Sequence, residues 1–400
     1  MNEPEPSADA VPPLAGLRVL DFSQFLAGPS CALRMADLGA DVIKVERPDG
    51  GDLCRQLVVA DQRIGADSAL FHTINRNKRS FAADLKNPKD LALVKQLVAS
   101  ADVMIHNFRP GVMERIGLDH AAVEALNPRI VYAAVTGYGE QGPWRDKPGQ
   151  DLLVQSLSGM AWLSGPGGDD APPVPAGLSI VDMMTGAHLL QGILALLLRR
   201  GITGRGGRVD VSLLESALDL QFEPFTAFLN GAGDAPKRST VNHANVHAAA
   251  PYGIYRTADG YMALAMAPMD QLAKLVDCEA LARLAADRGS WYSRRDELKQ
   301  VLQDHLRSRG TAEWLAALEP AGLWCADVLN WPRLAQHPGF AAVDMVQSLD
   351  TGGQAMKTTR CPIRVDRQVL RHARPAPSIG QHTQEILEEL GLSPAVEKTE

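Results

Sequence analysis

The stretch that most constrains the fold lies near the start of the chain. Leu17-Arg-Val-Leu-Asp-Phe-Ser is a short apolar strand, and Ala27-Gly-Pro-Ser opens a helical stretch through Ala32, Leu33, Met35 and Leu38. Gly39 stops that helix, and Asp41-Val-Ile-Lys-Val-Glu begins a second strand. A strand, helix and strand within about thirty residues form a βαβ unit, which implies a parallel sheet with a right-handed crossover.

The alternation continues. Residues 91–99 are predicted helical, 101–106 a strand, 121–126 helical and 129–135 a strand, which gives an α/β layer. A long helix is predicted over 182–200 and is broken by Gly204-Arg-Gly-Gly; Val209-Asp-Val-Ser then begins a further strand or helix leading through 213–229. Residues 230–245 hold Gly, Ala, Asn and His with few apolar anchors and read as a linker. Beyond it, residues 252–265 read as a β-hairpin turning at Asp259-Gly260. Helices over 271–287, 294–309 and 311–319 complete a smaller α+β domain. From about Pro338 the chain turns to strands again and closes with a helix over 383–390. The expected division is a disordered lead (1–13), the N-terminal part of a large domain (14–229), a linker (230–250), a small α+β domain (251–335) and a return to the large domain (336–400).

Two domains suit 400 residues, more than one core usually accommodates. The net charge of −7 argues against nucleic acid as a partner, so any anion site must be a local basic pocket. Five cysteines are scattered without a Cys-x-x-Cys pair and read as reduced thiols. His243 and His247 are four apart, but their Asn-rich surroundings give no helix to align them, so no metal site is expected. An acidic, proline-rich N-terminus is unlike a signal peptide, and the apolar run near 189–198 is too short to span a bilayer. These features predict a soluble cytoplasmic protein with no membrane partner. No Gly-x-Gly-x-x-Gly follows the first strand, so a nicotinamide or flavin dinucleotide is unsupported and a dehydrogenase reading fails.

Further stretches carry a resemblance. They are Val19-Leu-Asp-Phe-Ser-Gln-Phe-Leu-Ala-Gly-Pro; Leu38-Gly-Ala-Asp-Val-Ile-Lys-Val-Glu-Arg-Pro with Gly51-Asp52; Asn75-Arg-Asn-Lys-Arg-Ser; and Ala101-Asp-Val with Asn107-Phe-Arg-Pro-Gly. Thr136-Gly-Tyr-Gly, Gln155-Ser-Leu-Ser-Gly, Thr203-Gly-Arg-Gly, Tyr252-Gly-Ile-Tyr-Arg-Thr-Ala-Asp-Gly and Gly380-Gln-His-Thr follow. In this order and spacing, from about residue 14 to 392, the chain resembles the class III CoA-transferases. This CaiB/BaiF family includes formyl-CoA transferase, carnitine CoA-transferase and α-methylacyl-CoA racemases. The resemblance implies a Rossmann-like large domain built from both chain ends, a smaller domain between, and two subunits interlocked as a homodimer. It also implies that acyl-CoA and a carboxylic acid are substrates, with no permanently bound cofactor.

In the family's transferases a loop aspartate shortly before a proline attacks the thioester. Within Gly165-Pro-Gly-Gly-Asp-Asp-Ala-Pro-Pro the matching residue is Asp170, with Asp169 the competitor because an extra glycine shifts the alignment. Family positions for binding CoA fall on Leu26, Ala27, Arg47, Ala83, Lys86, Asn107, Phe108, Arg109, Arg115, Thr136 and Gly137. Candidate oxyanion donors are the backbone amides at Ala27-Gly28 and Gly137–Gly139. The Arg76–Arg79 cluster either supplements the phosphate contacts or shapes its turn. Three departures stand out: Leu26 where formyl-CoA transferase has glutamine, Thr136 where it has lysine, and Ala267-Pro-Met-Asp-Gln where it has a glycine-rich flap. The first and last weaken oxalate or formate as the substrate.

Two alternatives remain open. The family's racemases pair an aspartate with a histidine as acid and base on the α-carbon; here Asp151 is present, Gln150 precedes it where the racemases have histidine, and His120 is the nearest upstream partner. The second alternative is a non-catalytic CoA-binding homologue, which the presence of Asp170 disfavours.

Overall fold

The structure is a computed structural model that describes residues 11–231, 235–371 and 374–392. Most of the predicted lead, residues 1–10, lies outside the described residues. The described chain forms two compact units. One holds the chain up to residue 154 together with 179–216 and the part from 344 onward; the other holds 155–178 and 217–343.

The first unit is built on six strands: β1 (Arg18–Asp21), β2 (Asp41–Glu46), β3 (Arg79–Ala82), β4 (Val103–His106), β5 (Val131–Thr136) and β6 (Gly207–Ser212). They pair in the order β3-β2-β1-β4-β5-β6, and every pairing is parallel. This is the doubly wound order in which ligand crevices form at the carboxyl ends of strands where the order reverses. The inner strands β1, β2, β4 and β5 are buried on both faces because helices cover both. One face packs Leu20, Ile43, Phe81, Met104 and Tyr132 against α2 (Pro88–Ser100), α3 (His120–Leu126) and α4 (Thr383–Glu389).

Two further helices of this unit are α5 (Ala27–Asp37) and α6 (Ile180–Thr203), which pack on each other. A Cβ on Gly186 of α6 would lie 2.2 Å from Ser30 Oγ and 2.7 Å from Ala27 O, so glycine is what lets the helices meet here. Gly204, left-handed at φ 74°, ends α6 as the sequence predicts. The expectation drawn from the short apolar run needs correction. That run sits inside a 24-residue helix that is, by length and composition, long and apolar enough to cross a membrane.

Buried charge supports the sheet. Arg76 forms a bidentate pair with Asp37, and Lys78 Nζ reaches Asp21 Oδ2 at 2.8 Å. Arg79 pairs with Asp41 and Glu389, both at 2.6 Å, tying β3 to α4. Burial pushes the Asp21 carboxyl up, but the Lys78 and Lys44 ammonium groups outweigh this and hold it below the ordinary carboxylate range. The Arg76–Arg79 cluster is therefore spent on holding the fold, which resolves its two readings toward structure.

The second unit contains the predicted hairpin, β7 (Gly253–Arg256) and β8 (Tyr261–Leu264), extended by β9 (Cys325–Asp327). Its core gathers Tyr255, Met262, Leu272, Leu281, Leu302 and Trp314. The single helix expected over 271–287 is two helices, α7 (Met269–Leu275) and α8 (Glu279–Ala285), because Asp277 turns left-handed at φ 56° between them. Aspartate is among the few residues that adopt this conformation readily. The Ala267–Gln271 segment leads into α7 with Met269 buried in the core. It is a helix start, not a flap.

The unit boundaries also differ from the sequence expectation. Residues 155–178, 217–229 and 336–343, assigned there to the large domain, belong to the second unit. For 155–178 the reason is hydrogen bonding: the amide of Gly167 donates to Ser239 O at 2.8 Å, and Leu163 O is bonded to the His243 ring.

Candidate active site

The loop that carries Asp169 and Asp170 lies in the second unit. Gly165 (φ 80°) and Gly168 (φ 131°) take conformations that a Cβ disfavours, and the amide of Ala171 closes a turn onto Gly168 O at 3.2 Å. The two aspartates occupy the middle of this turn and are both exposed. The loop is fastened at its end, where the Val174 amide donates to Ala161 O at 2.8 Å. Beside it opens a cavity of about 970 Å³ whose wall includes Asp169, Trp162, Phe225, Phe228 and Arg238. Asp169 faces this cavity, whereas Asp170 is outside its wall.

The residues expected to bind CoA lie in the first unit and divide among three situations. Arg47, Ala83 and Phe108 meet around a small cavity of about 30 Å³ together with Ser23 and Gln24. Phe108 also lines a second cavity of about 220 Å³, with Arg109 and Thr136. Lys86 and Arg115 are exposed and line neither cavity.

The remaining members of the predicted set have structural contacts. The Asn107 amide is engaged with Gln24 in both directions, accepting from its N–H at 2.8 Å and donating to its carbonyl at 2.7 Å. It fixes the turn that leads to Leu26 and Ala27. Leu26 caps α5 half-buried against Phe71 and Ile74, and Ala27 is buried. Gly137 is required by close approach, since a Cβ there would lie 2.6 Å from Gly149 Cα. The amide of Gly139 donates to Thr136 Oγ1 at 2.9 Å, so the expectation that it supplies an oxyanion donor is corrected.

His106 lies in the wall of the 220 Å³ cavity at the end of β4, stacked on Phe108 and edge-on to Tyr132. Burial, with a smaller contribution from the Arg208 charge, pushes its pKa down to about 4. His120 begins α3 and stands edge-on to Tyr132 at 5.6 Å. Asp151 is buried, and its Oδ2 accepts the Asp182 N–H at 2.9 Å. Burial and the neighbouring Asp151 charge push the Asp182 carboxyl up to about 7. The contacts seen for the two residues of the acid–base alternative thus run to different partners, Tyr132 for His120 and Asp182 for Asp151.

Sequence reasoning passed over Tyr132, Asp182, Arg208 and Arg238. Only a charge within a strand, at Arg208, could have drawn attention. The partners of Arg238 are main-chain carbonyls of residues 164–172, and no spacing encodes them.

Comparison with known proteins agrees with the fold. The family model described as CoA-transferase family III matches residues 14–383. An acyl-CoA transferase of Fusarium pseudograminearum is 35% identical over 95% of this chain and 85% of its own. A succinate–glutarate CoA-transferase of Agrobacterium fabrum is 32% identical over 95% of this chain and 96% of its own. The crystal structure of a CaiB/BaiF family protein from Brucella suis superposes with a TM-score of 0.80 at 31% identity, covering 95% of this chain and 100% of that one.

Proposed function

The chain belongs to CoA-transferase family III, the CaiB/BaiF family, and from that premise we propose that it moves CoA from an acyl-CoA donor to a carboxylic acid through Asp170. The observation that carries this reading is a pair of carboxylates on a glycine turn fastened to its surroundings, in a chain of this family. A carboxylate suits the task because each covalent intermediate it forms keeps the acyl group activated.

The steps balance without a net proton. An Asp170 oxygen attacks the thioester carbonyl, the C–S bond breaks, and CoA leaves as thiolate from a mixed anhydride. The thiolate attacks the aspartyl carbonyl of that anhydride, releasing the donor acid and leaving an aspartyl-CoA thioester. The acceptor carboxylate attacks this thioester, forming a new anhydride and thiolate. The thiolate then takes the acceptor's acyl group and regenerates Asp170. Each tetrahedral intermediate carries an oxyanion, for which the amides at Ala27-Gly28 are the proposed donors. Arg47, Lys86, Arg109 and Arg115 are proposed to supply the cationic surroundings for the CoA phosphates; the arginine fork matches phosphate oxygens. Short dicarboxylic acids are the proposed substrate class, since the Agrobacterium relative is named for succinate and glutarate.

One observation favours a second reading of the nucleophile: Asp169, not Asp170, lines the adjoining cavity. The test is CoA exchange between succinyl-CoA and a panel of carboxylates, with hydroxylamine trapping and mass spectrometry of the protein. Asp170→Asn is expected to lose at least about 1,000-fold in kcat, with the wild-type adduct on Asp170. Loss confined to Asp169→Asn moves the assignment by one residue. Exchange of the α-proton in heavy water without CoA exchange would replace it with the Asp151 and His120 chemistry.

A further inference from the structure

We propose that Arg238 is the positioning residue of the nucleophile loop, clasping both arms of the loop so that its aspartate is held ready for attack. The proposal rests on the reading that this loop carries the nucleophile.

One guanidinium joins the two ends of the loop. Its Nη1 donates to Ser164 O at 2.5 Å and to Pro172 O at 2.9 Å, and its Nη2 donates to Ala171 O at 2.8 Å. Ser164 precedes Gly165, and Ala171-Pro172 follow Asp170, so the clasp closes the base of the loop and its second arm begins at the residue next to Asp170. Between the arms lie three glycines and Pro166, a sequence with much backbone freedom to lose on ordering. Charge-assisted hydrogen bonds from a planar, rigid donor are suited to that cost.

The clasp is itself anchored. Arg238 Cζ stands 5.7 Å from the centre of the Trp162 ring. Its neighbour Ser239 donates from Oγ to Asp296 Oδ1 at 2.6 Å, and the Ser239 carbonyl receives the Gly167 amide at 2.8 Å. His243 bridges the Ser239 amide (3.1 Å) and Leu163 O (3.0 Å). With Nδ1 accepting, Nε2 must be the donor, so the ring serves in its neutral form. A Cβ on Gly167 would fall 2.2 Å from Arg238 O, which keeps that approach closed to any other residue. Three of the five N–H groups of Arg238 are given to main-chain oxygens of the loop, so most of its hydrogen-bonding capacity acts on the loop.

An arginine that only stabilised the fold would change stability and leave turnover per folded molecule intact. A positioning residue changes kcat, because a displacement of about 1 Å at the reacting atom costs on the order of 100-fold. The experiment uses the full-length protein with succinyl-CoA as donor and succinate or glutarate as acceptor. Arg238→Ala and Arg238→Lys are compared with wild type for kcat, donor KM, thermal melting and hydrogen exchange of the Gly167 and Val174 amides.

Expected are a fall of about 100-fold in kcat with donor KM within about threefold, faster exchange at both amides, and partial recovery of Arg238→Ala by methylguanidinium. Lysine, a compact charge without the fork, should restore little; should Arg238→Ala not fold, Arg238→Lys carries the comparison. Wild-type kcat in either variant, or a loss confined to KM, overturns the clasp. Hydroxylamine trapping of the wild type separates the two levels. An adduct on the loop with undiminished kcat in Arg238→Ala sinks the clasp alone, whereas an adduct elsewhere sinks the nucleophile reading and the clasp with it.

Discussion

His106 shows how much a single buried group can set. Both its ring nitrogens lack a hydrogen-bond partner among the described residues, and the side chain is 6% exposed. Its pKa is lowered, so the folded protein keeps the ring neutral at pH values where the unfolded chain already protonates it. Below about pH 6.5 the unfolded state binds the extra proton, and stability falls as pH drops toward about 4. The loss across that window is on the order of 3 kcal/mol. His106→Phe keeps the stacking with Phe108 and removes the titration. Urea melts from pH 7 to pH 4.5 should show the variant losing markedly less stability than wild type; parallel losses would rule the ring out. At the same scale, Asp169 and Asp170 are adjacent, chemically identical and both exposed, which is why only the paired Asn substitutions and the trapped adduct separate them.

Among elements, the contact of α5 with α6 is the one most exposed to a minimal change. Gly186 sits where a methyl group would press on Ser30 Oγ, Ala27 O and the Cys31 amide, two of them main-chain atoms that cannot rotate away. Gly186→Ala should cost about 1–3 kcal/mol by overpacking. It should also move the first turn of α5, where Ala27 and Gly28 are the proposed oxyanion donors. Thermal melting and succinyl-CoA exchange read the two effects; an unchanged melting temperature would mean that the helices part without cost. The helix stop that was legible is of the same local kind: Gly204 closes α6. The side-chain caps of α2 and α3, Asn87 and Asp119, were passed over. The break inside 271–287 was not legible, because a left-handed Asp277 leaves the apolar periodicity on either side nearly intact.

At the scale of the molecule, apolar side chains remain uncovered on long helical faces. Leu198 is 76% and Ile202 89% exposed on α6, and in the second unit Phe222 is 69% and Leu229 63% exposed. Large apolar residues exposed in pairs along one helix in this way mark association surfaces. We therefore propose a homodimer. Light scattering coupled to gel filtration should give about twice the chain mass of 43.1 kDa. Ile202→Lys with Leu198→Lys should weaken the association, and a monomeric wild type would refute it.

What the sequence determined by itself was what short-range patterning encodes: parallel strands joined by helices, the hairpin at Asp259-Gly260, and an ordered set of motifs that fixed the family. Burial on both faces makes such strands continuous apolar runs, and caps and glycines mark where helices stop. What the tertiary structure decided were pairings between residues far apart in the chain. It spent Arg76, Lys78 and Arg79 on Asp37, Asp21 and Asp41, turned Asn107 toward the Gln24 backbone, and placed residues 155–178 with Ser239 and His243. A charge in a sequence carries no record of which opposite charge or carbonyl will meet it, because that depends on packing across the whole fold. Asp170 was legible as a carboxylate in a turn; Arg238, which closes the base of that turn, was not.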